Sequence, residues 1–385
     1  MTDQKYLGNY ELQEPFGSNS FFEWRRAIDV ARKRPVIIKI LKLDSANERK
    51  RAQLFWERAQ FASELVHPHL AWTWEAGEID GQYFLAERFV EGPSLRQVLN
   101  NDSKLTKENA QAIISQIARG LDFVHEKGFF HGNVKPENII INPELGAILT
   151  DVGPSISLQA ITPRWASVID NETAPYTAPE IWKGSSPSSK SDQYSLACIF
   201  AEMLCGEQTF GAASINAIKE KHLATFQAPL SWAACIPWPT AHAILRALES
   251  DTSKRFPDLE SFSQAPQTIV EEIRANPQLK EEADLQLQAW QAAQRKAQQD
   301  AEEAARLEAL EKAKQEIEEE QKRREAERER QLLELPETTS IENEPESARV
   351  KNRKRVSRGA TRSWRGVWAV LAGGILVCLA MWVIK

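Results

Sequence analysis

The sequence predicts an α+β globular domain, a long charged helix behind it and one transmembrane helix near the C-terminus. Three observations lead there. Over residues 10–267, β-branched runs such as "RPVIIKIL" (34–41) alternate with amphipathic stretches such as "KENAQAIISQIARGLDFVHEKG" (107–128). Between Pro277 and Pro336 neither Gly nor Pro occurs. Residues 367–384 carry no charge at all.

The first segment, residues 10–267, is large enough at roughly 260 residues to bury a real core. The whole chain of 385 residues has a net charge of −6, the opposite of the basic footprint that phosphate backbones select, so no nucleic-acid partner is expected. Its four cysteines, Cys198, Cys205, Cys235 and Cys378, lack the spacing of a zinc site or a disulfide framework and fit a reducing compartment. The start, "MTDQKYLGNYEL", has no basic stretch followed by an apolar one, so the globular domain is expected in the cytosol.

Residues 278–335 are dominated by Ala, Glu, Gln, Lys and Arg and read as one helix of about 85 Å. Ala283, Trp290, Ala297 and Ala304 recur every seventh residue, a seam compatible with a homodimeric coiled coil. Pairs such as Glu318 with Lys322 also support a solvated spacer helix, and both alternatives stand. Residues 336–366 combine Pro, Ser and Thr with the basic run "RVKNRKRVSRGATRSWR" and read as a flexible juxtamembrane linker suited to anionic headgroups. Residues 367–384, "VWAVLAGGILVCLAMWVI", make a helix of about 27 Å that matches the hydrocarbon core of a bilayer. Trp364, Trp368 and Trp382 mark its ends. The basic excess on its N-terminal side predicts a single-pass tail anchor with the globular domain cytoplasmic.

Within residues 10–267 several motifs follow one another: "VIIK" (36–39), "HGNVKPEN" (131–138), "DVG" (151–153), "APE" (178–180), "SDQYSLACIF" (191–200) and "SKRF" (253–256). In this order they resemble the eukaryotic-type Ser/Thr protein kinases, particularly the membrane-anchored ones of bacteria, which implies a bilobal protein-kinase-like fold. The resemblance implies Lys39 as the residue that holds the ATP phosphates, Gly17 as a remnant of the phosphate-covering loop, and Asn138 and Asp151 as ligands of Mg²⁺. Lys135 and Thr173 match positions of Ser/Thr-directed kinases. Glu180 and Arg255 resemble the ion pair that ties the activation segment to the C-terminal lobe, and Asp192 the helix residue that holds the catalytic-loop backbone. His131 is expected to be a buried structural residue.

Other positions depart from the family. Asn133 stands where the catalytic Asp would be, and an amide cannot take the substrate proton. Gly132 replaces an Arg that grips a phosphorylated loop. Arg58 falls at the place of the Lys-pairing Glu, with Glu57 one residue away. Asn19 and Phe22 occupy glycine positions of the phosphate loop, while Trp24 and Ile37 add bulk above the adenine site, with Trp24 or Phe22 expected to fill it. The reading that follows is a membrane-anchored pseudokinase that binds other proteins: a true kinase, a substrate or a membrane complex. A low-rate Ser/Thr kinase using ATP and Mg²⁺ is the alternative, and a purely structural coiled-coil anchor the third possibility.

Overall fold

The computed structural model describes residues 5–19, 21–42, 49–162, 169–224 and 232–333. An N-terminal lobe is built on an antiparallel sheet of β1 (Tyr6–Leu7), β2 (Tyr10–Ser18), β3 (Phe22–Asp29), β4 (Arg34–Leu41), β5 (Thr73–Ile79) and β6 (Gln82–Arg88), in the order β1-β2-β3-β4-β6-β5. Side chains alternate across it, as the two-residue period of a strand requires. Val36 and Ile38 of β4 join Leu7, Tyr10, Ala27 and Phe84 in a small core of the N-terminal lobe. On the other face Leu41 joins Phe22, Leu85 and the buried side of α1 (Arg49–Ala62), where Phe22 and Phe55 lie 5.6 Å apart.

The C-terminal lobe is helical. Its long helices are α3 (Lys107–Glu126), α6 (Ser189–Cys205) and α10 (Leu259–Ala275), accompanied by the shorter α2 (Leu95–Asp102), α4 (Val152–Ile161), α5 (Pro179–Trp182), α7 (Ile215–Leu223), α8 (Trp232–Cys235) and α9 (Trp238–Ala247). Local sequence sets their starts. Ser94 and Gln97 form a capping box on α2, and Thr106 and Ser188 cap α3 and α6. Helix α6 is buried along nearly its whole length, and its buried polar residues Asp192, Gln193, Ser195 and Glu202 are all hydrogen-bonded to neighbouring elements. A hairpin of β7 (Ile139–Asn142) and β8 (Gly146–Leu149) carries the chain from the catalytic loop to Asp151. Arg255 grips Glu180 with two parallel hydrogen bonds of 2.7 and 2.9 Å, the pair expected from the motifs.

Two expectations change. The cysteines were expected unpaired, yet Cys205 and Cys235, 30 residues apart, are joined in a disulfide. The fold brings together the ends of α6 and α8, which sequence spacing cannot indicate. The globular domain was expected to end at Gln267, but α10 accommodates Pro266 and runs on to Ala275.

Helix α11 spans Pro277–Leu333, opening with a proline where the missing N–H costs nothing. One compact unit of the chain ends within it at Ala304 and a second begins at Ala305. Exposed pairs Glu318–Lys322 and Glu320–Arg324, at 2.9 and 2.7 Å, support its later turns. The side chains of the Ala283, Trp290, Ala297 and Ala304 seam lie outside those described. So do the expected linker, residues 336–366, and the expected span, residues 367–384. Among the described residues no helix is long and apolar enough to cross a membrane.

Candidate functional site

Lys39 projects from the middle of β4 toward the interlobe cleft and is 7% exposed. Its ammonium is held by two carboxylates: Asp151, just after β8, and Glu87 of β6, whose Oε2 lies 2.8 Å away. Register explains the second contact. Glu87 pairs with Ile37, two residues from Lys39 on β4, so the two charged side chains share one face of adjacent strands. Burial lowers the Lys39 pKa, but Asp151 and Glu87 outweigh it and raise it above the usual lysine value. Burial likewise works against the Asp151 carboxylate, yet Lys39 holds its pKa below the ordinary range. Burial pushes the Glu87 carboxyl up to about 7, with Lys39 opposing and Asp151 adding to the shift. The three groups therefore settle with Lys39 charged, Asp151 ionised and Glu87 the member that takes up a proton most readily.

Among its described side chains, helix α1 supplies no partner for Lys39. Glu57 and Arg58 are both exposed; Glu57 accepts a hydrogen bond from Gln53, and the Arg58 guanidinium lies 5.5 Å from the Phe129 ring. The expectation that Arg58 faces and repels Lys39 is thereby corrected. The cause is α4, which starts directly after Asp151 and packs against α1. Its residues from Val152 to Leu158 are buried, so the opening of the activation segment is an apolar helix seated beside α1. Gln159 at its far end donates to the carbonyls of Phe130 and His131 at 2.7 and 3.2 Å and fastens α4 to the catalytic loop.

The catalytic loop itself is well held. Asp192 at the start of α6 accepts the backbone N–H groups of His131 and Gly132 at 2.9 and 2.7 Å, as well as the His125 ring at 2.8 Å. His131 is fully buried, donates to the Thr150 carbonyl and accepts from the Asn133 N–H, and burial lowers its pKa. Gly132 has φ +71°, a conformation that favours glycine. Asn133 and Thr173 come together, the Thr173 hydroxyl donating to Asn133 Oδ1 at 3.2 Å. Lys135 is nearby but engaged, its ammonium 2.8 Å from Glu172. Asn138 donates to the Asn133 carbonyl at 2.9 Å, an arrangement that fixes its side chain beside Asp151's strand connection.

The phosphate-loop region departs most from what a nucleotide needs. The Asn19 carboxamide accepts from the N–H groups of Phe21 and Phe22, both at 2.8 Å, and so uses up amides at the loop's tip. Phe22 is buried against α1 and does not enter the adenine site. Trp24 pairs with Gly17 across the β2–β3 hairpin, and its indole stands where a Cβ on Gly17 would project. Ile37 is half-buried on β4 beside Glu87. Arg26, next on the same face of β3, lies 5.3 Å from the Phe89 ring just beyond β6.

These residues fit the implied cofactors unequally. Asn138 and Asp151 offer an amide and a carboxylate, hard oxygen donors of the kind Mg²⁺ takes. The phosphate-binding ammonium is already doubly paired, and the loop above it is closed by an indole. Reading the motifs missed Glu87, Gln159 and Glu172. A signal existed for Glu87 alone: an acid at the end of the apolar run "YFLAE" (83–87) must be paired if that strand is buried.

Comparison with known proteins agrees with this architecture. Residues 10–277 match the protein kinase domain family, and the chain belongs to it. It is 28% identical over 274 residues to the serine/threonine-protein kinase PrkC of Bacillus subtilis, covering 71% of this chain and 42% of that protein. It is 34% identical over 222 residues to the serine/threonine-protein kinase PknD of Mycobacterium tuberculosis, covering 56% and 32%. The chain thus spans less than half the length of these relatives. The PknI kinase domain of Mycobacterium tuberculosis superposes with a TM-score of 0.54 at 21% identity, over 70% of this chain and 99% of that one, a likeness of fold. The globular domain is a Ser/Thr protein-kinase-like domain of the bacterial eukaryotic-type group, a family whose chemistry uses ATP and Mg²⁺.

Proposed function

We propose that this protein is a membrane-anchored pseudokinase, a signalling module that acts by binding other proteins. The observation that carries the reading is Asn133. It sits at the position of the catalytic base, hydrogen-bonded to Thr173, and its amide has no means of accepting the substrate proton. The diversion of Lys135 to Glu172 and of Lys39 to Glu87 and Asp151 supports the same reading. Partners are a true kinase, a substrate or a membrane complex that docks on the lobes, with α11 as the surface for self-association. Residues 367–384 anchor the chain in the membrane with the kinase-like domain on the cytoplasmic side.

A low-rate Ser/Thr kinase is the second reading, favoured by the survival of Lys39, Asn138 and Asp151 around one cleft. Radiolabelled phosphate transfer from ATP with Mg²⁺, to the chain itself and to a generic basic protein, separates the two. The expected result is no transfer above that of Asp151→Ala. Transfer that Asp151→Ala abolishes replaces the pseudokinase with the low-rate enzyme.

A further inference from the structure

A permanent disulfide between Cys205 and Cys235 conflicts with a cytoplasmic domain. Glutathione and thioredoxin keep cytosolic thiols reduced, and the disulfides found there are usually transient, catalytic or redox-sensing. A fixed structural bond compensates for a small core, and this lobe does not lack one. Trp232 and Ile236, which flank Cys235, are buried in the main core together with Phe200, Met203 and Leu204 of α6. Apolar packing therefore seats α8 against α6 whether or not the sulfurs are joined.

Access separates the three described cysteines. Cys205, in the last turn of α6, and Cys235 are half-buried, so a reagent thiolate can reach them. Their Cα atoms lie 5.3 Å apart, within the span a disulfide bridges, so the sulfurs re-pair without rearrangement of the backbone. Cys198, earlier on α6, is buried, and burial raises its thiol pKa well above the ordinary value, which leaves it inert. The bond also bears on the end of the activation segment. Helix α7 lies between the two cysteines in sequence; its Ile218 packs with Ala174 and Trp182, and its His222 ring meets the Ala174 carbonyl at 3.0 Å. With Cys235 tied to α6, the chain is fastened on both sides of α7. Once the bond opens, α7 depends more heavily on these contacts.

Resting on the cytoplasmic placement proposed above, we propose that Cys205 and Cys235 are a reversible redox pair through which the thiol–disulfide state of the cytosol sets how firmly α7 is held against residues 174–182. Oxidation takes a hydroperoxide. One thiolate attacks the peroxide oxygen, giving a sulfenic acid and water or an alcohol, and the second thiolate displaces the sulfenic oxygen as water to form the S–S bond. Two electrons pass to the peroxide. Reduction takes a protein dithiol: one of its thiolates attacks the bond and the other resolves the mixed disulfide, so the S–S bond passes to the reductant and both cysteines are left as thiols.

The full chain in detergent micelles, treated with thioredoxin, its reductase and NADPH and then with hydrogen peroxide, tests this by alkylation mapped to each cysteine and by amide hydrogen exchange. Thioredoxin is expected to raise alkylation of Cys205 and Cys235 together by about tenfold or more, and peroxide to return both to the blocked state, with Cys198 unlabelled throughout. Amides of α7 should exchange about tenfold faster in the reduced chain, while those of α3 do not change. Cys235→Ser, which has no bond to form, should show the fast α7 exchange before and after peroxide. A bond that thioredoxin leaves intact, or thiols that peroxide takes to sulfinic acids without pairing, overturns the redox pair. Equal α7 exchange in the two states overturns its link to residues 174–182. Digestion of the kinase-like domain by protease added outside right-side-out vesicles overturns the cytoplasmic placement instead, a failure that the thiol measurements on purified chain do not share.

Discussion

The hydroxyl of Thr173 donates to Asn133 Oδ1 across 3.2 Å, so the residue at the base position is held in place by a residue 40 positions further along the chain. Geometry survives here while proton affinity does not. Position and chemistry have separated at this site, because backbone contacts to Asp192 fix the loop independently of the side chain at residue 133.

Restoring the carboxylate alone should therefore achieve little. A positioned base contributes about 10²- to 10⁴-fold, but only to a substrate already aligned with a bound phosphate. Lys39 is doubly paired, Lys135 is held by Glu172, and α1 lacks a carboxylate near Lys39. Asn133→Asp is expected to raise radiolabelled phosphate transfer less than about tenfold, since residues that act as a unit are strongly non-additive. The same change combined with Trp24→Val and Ile37→Ala, the two bulky residues of the adenine site, is the comparison. Robust transfer by Asn133→Asp alone would falsify the account of the other faults.

Nucleotide should barely stabilise the unmodified domain. With Trp24 against Gly17 and Lys39 occupied, millimolar ATP with Mg²⁺ is expected to shift the melting temperature by less than about 2 °C. Trp24→Val with Ile37→Ala relieves the crowding, so the same ATP and Mg²⁺ should then produce a larger shift. A shift of roughly 5 °C in the unmodified domain, equivalent to about 1–2 kcal/mol, contradicts the crowding of the site.

The fold and half of the site were legible because motif order reports residues fixed by short-range geometry. Lys39 on its strand, Asn138 beside the catalytic loop, Asp151 after β8, and the Glu180–Arg255 pair all lie where spacing put them. Counting residues also placed Glu57 and Arg58 on α1, but it could not give that helix's position. That depends on α4, whose apolar residues are far away in sequence and compete for the same space. Glu87 was missed for a related reason. Its role comes from cross-strand register with β4, and a pairing between strands leaves no periodic trace in either strand alone.

Arg255 is expected to be among the most sensitive positions for stability. Its side chain is fully buried and bonds Glu180 twice, the Glu249 carbonyl at 2.7 Å and the Lys190 carbonyl at 2.8 Å. Arg255→Ala breaks the buried ion pair and strips Glu180 of its partner, a loss of about 3–5 kcal/mol. For a domain of this size that lowers the melting temperature by about 10 °C. A drop under 2 °C by calorimetry contradicts the ascribed role.

Acid should weaken the C-terminal lobe through His222. Its ring accepts from or donates to Tyr194 at 2.9 Å, meets the Ala174 carbonyl at 3.0 Å and stacks on Phe210, and burial pushes its pKa down to about 3. A folded-state pKa below the unfolded value near 6.5 means the unfolded chain takes up the proton first. The stabilisation is complete above pH 6.5 and declines by about 1.4 kcal/mol per pH unit as pH falls toward 3. Denaturant titrations between pH 7 and 5 should give a slope that is one proton shallower in His222→Asn than in the unmodified domain. Equal slopes remove His222 from the account.

The anchor makes the last prediction. Residues 367–384 form the one uncharged run in the chain long enough to span a bilayer, and the basic stretch before it carries charge suited to anionic headgroups without apolar surface to insert. The kinase-like domain has its own cores and closes on itself by α10. Deleting residues 364–385 should then move the chain from the membrane to the soluble fraction while its thermal transition stays within about 2 °C of the parent's, since the described cores of the domain are built from residues between Leu7 and Ala265. Neutralising the basic residues between Arg349 and Arg365 with the span intact should leave the chain in membranes and weaken only its preference for anionic lipid. Retention of the truncated chain in membranes, tested by fractionation at high salt to strip electrostatic binding, would assign anchoring to a docked partner and remove the span from the model of how this protein is held.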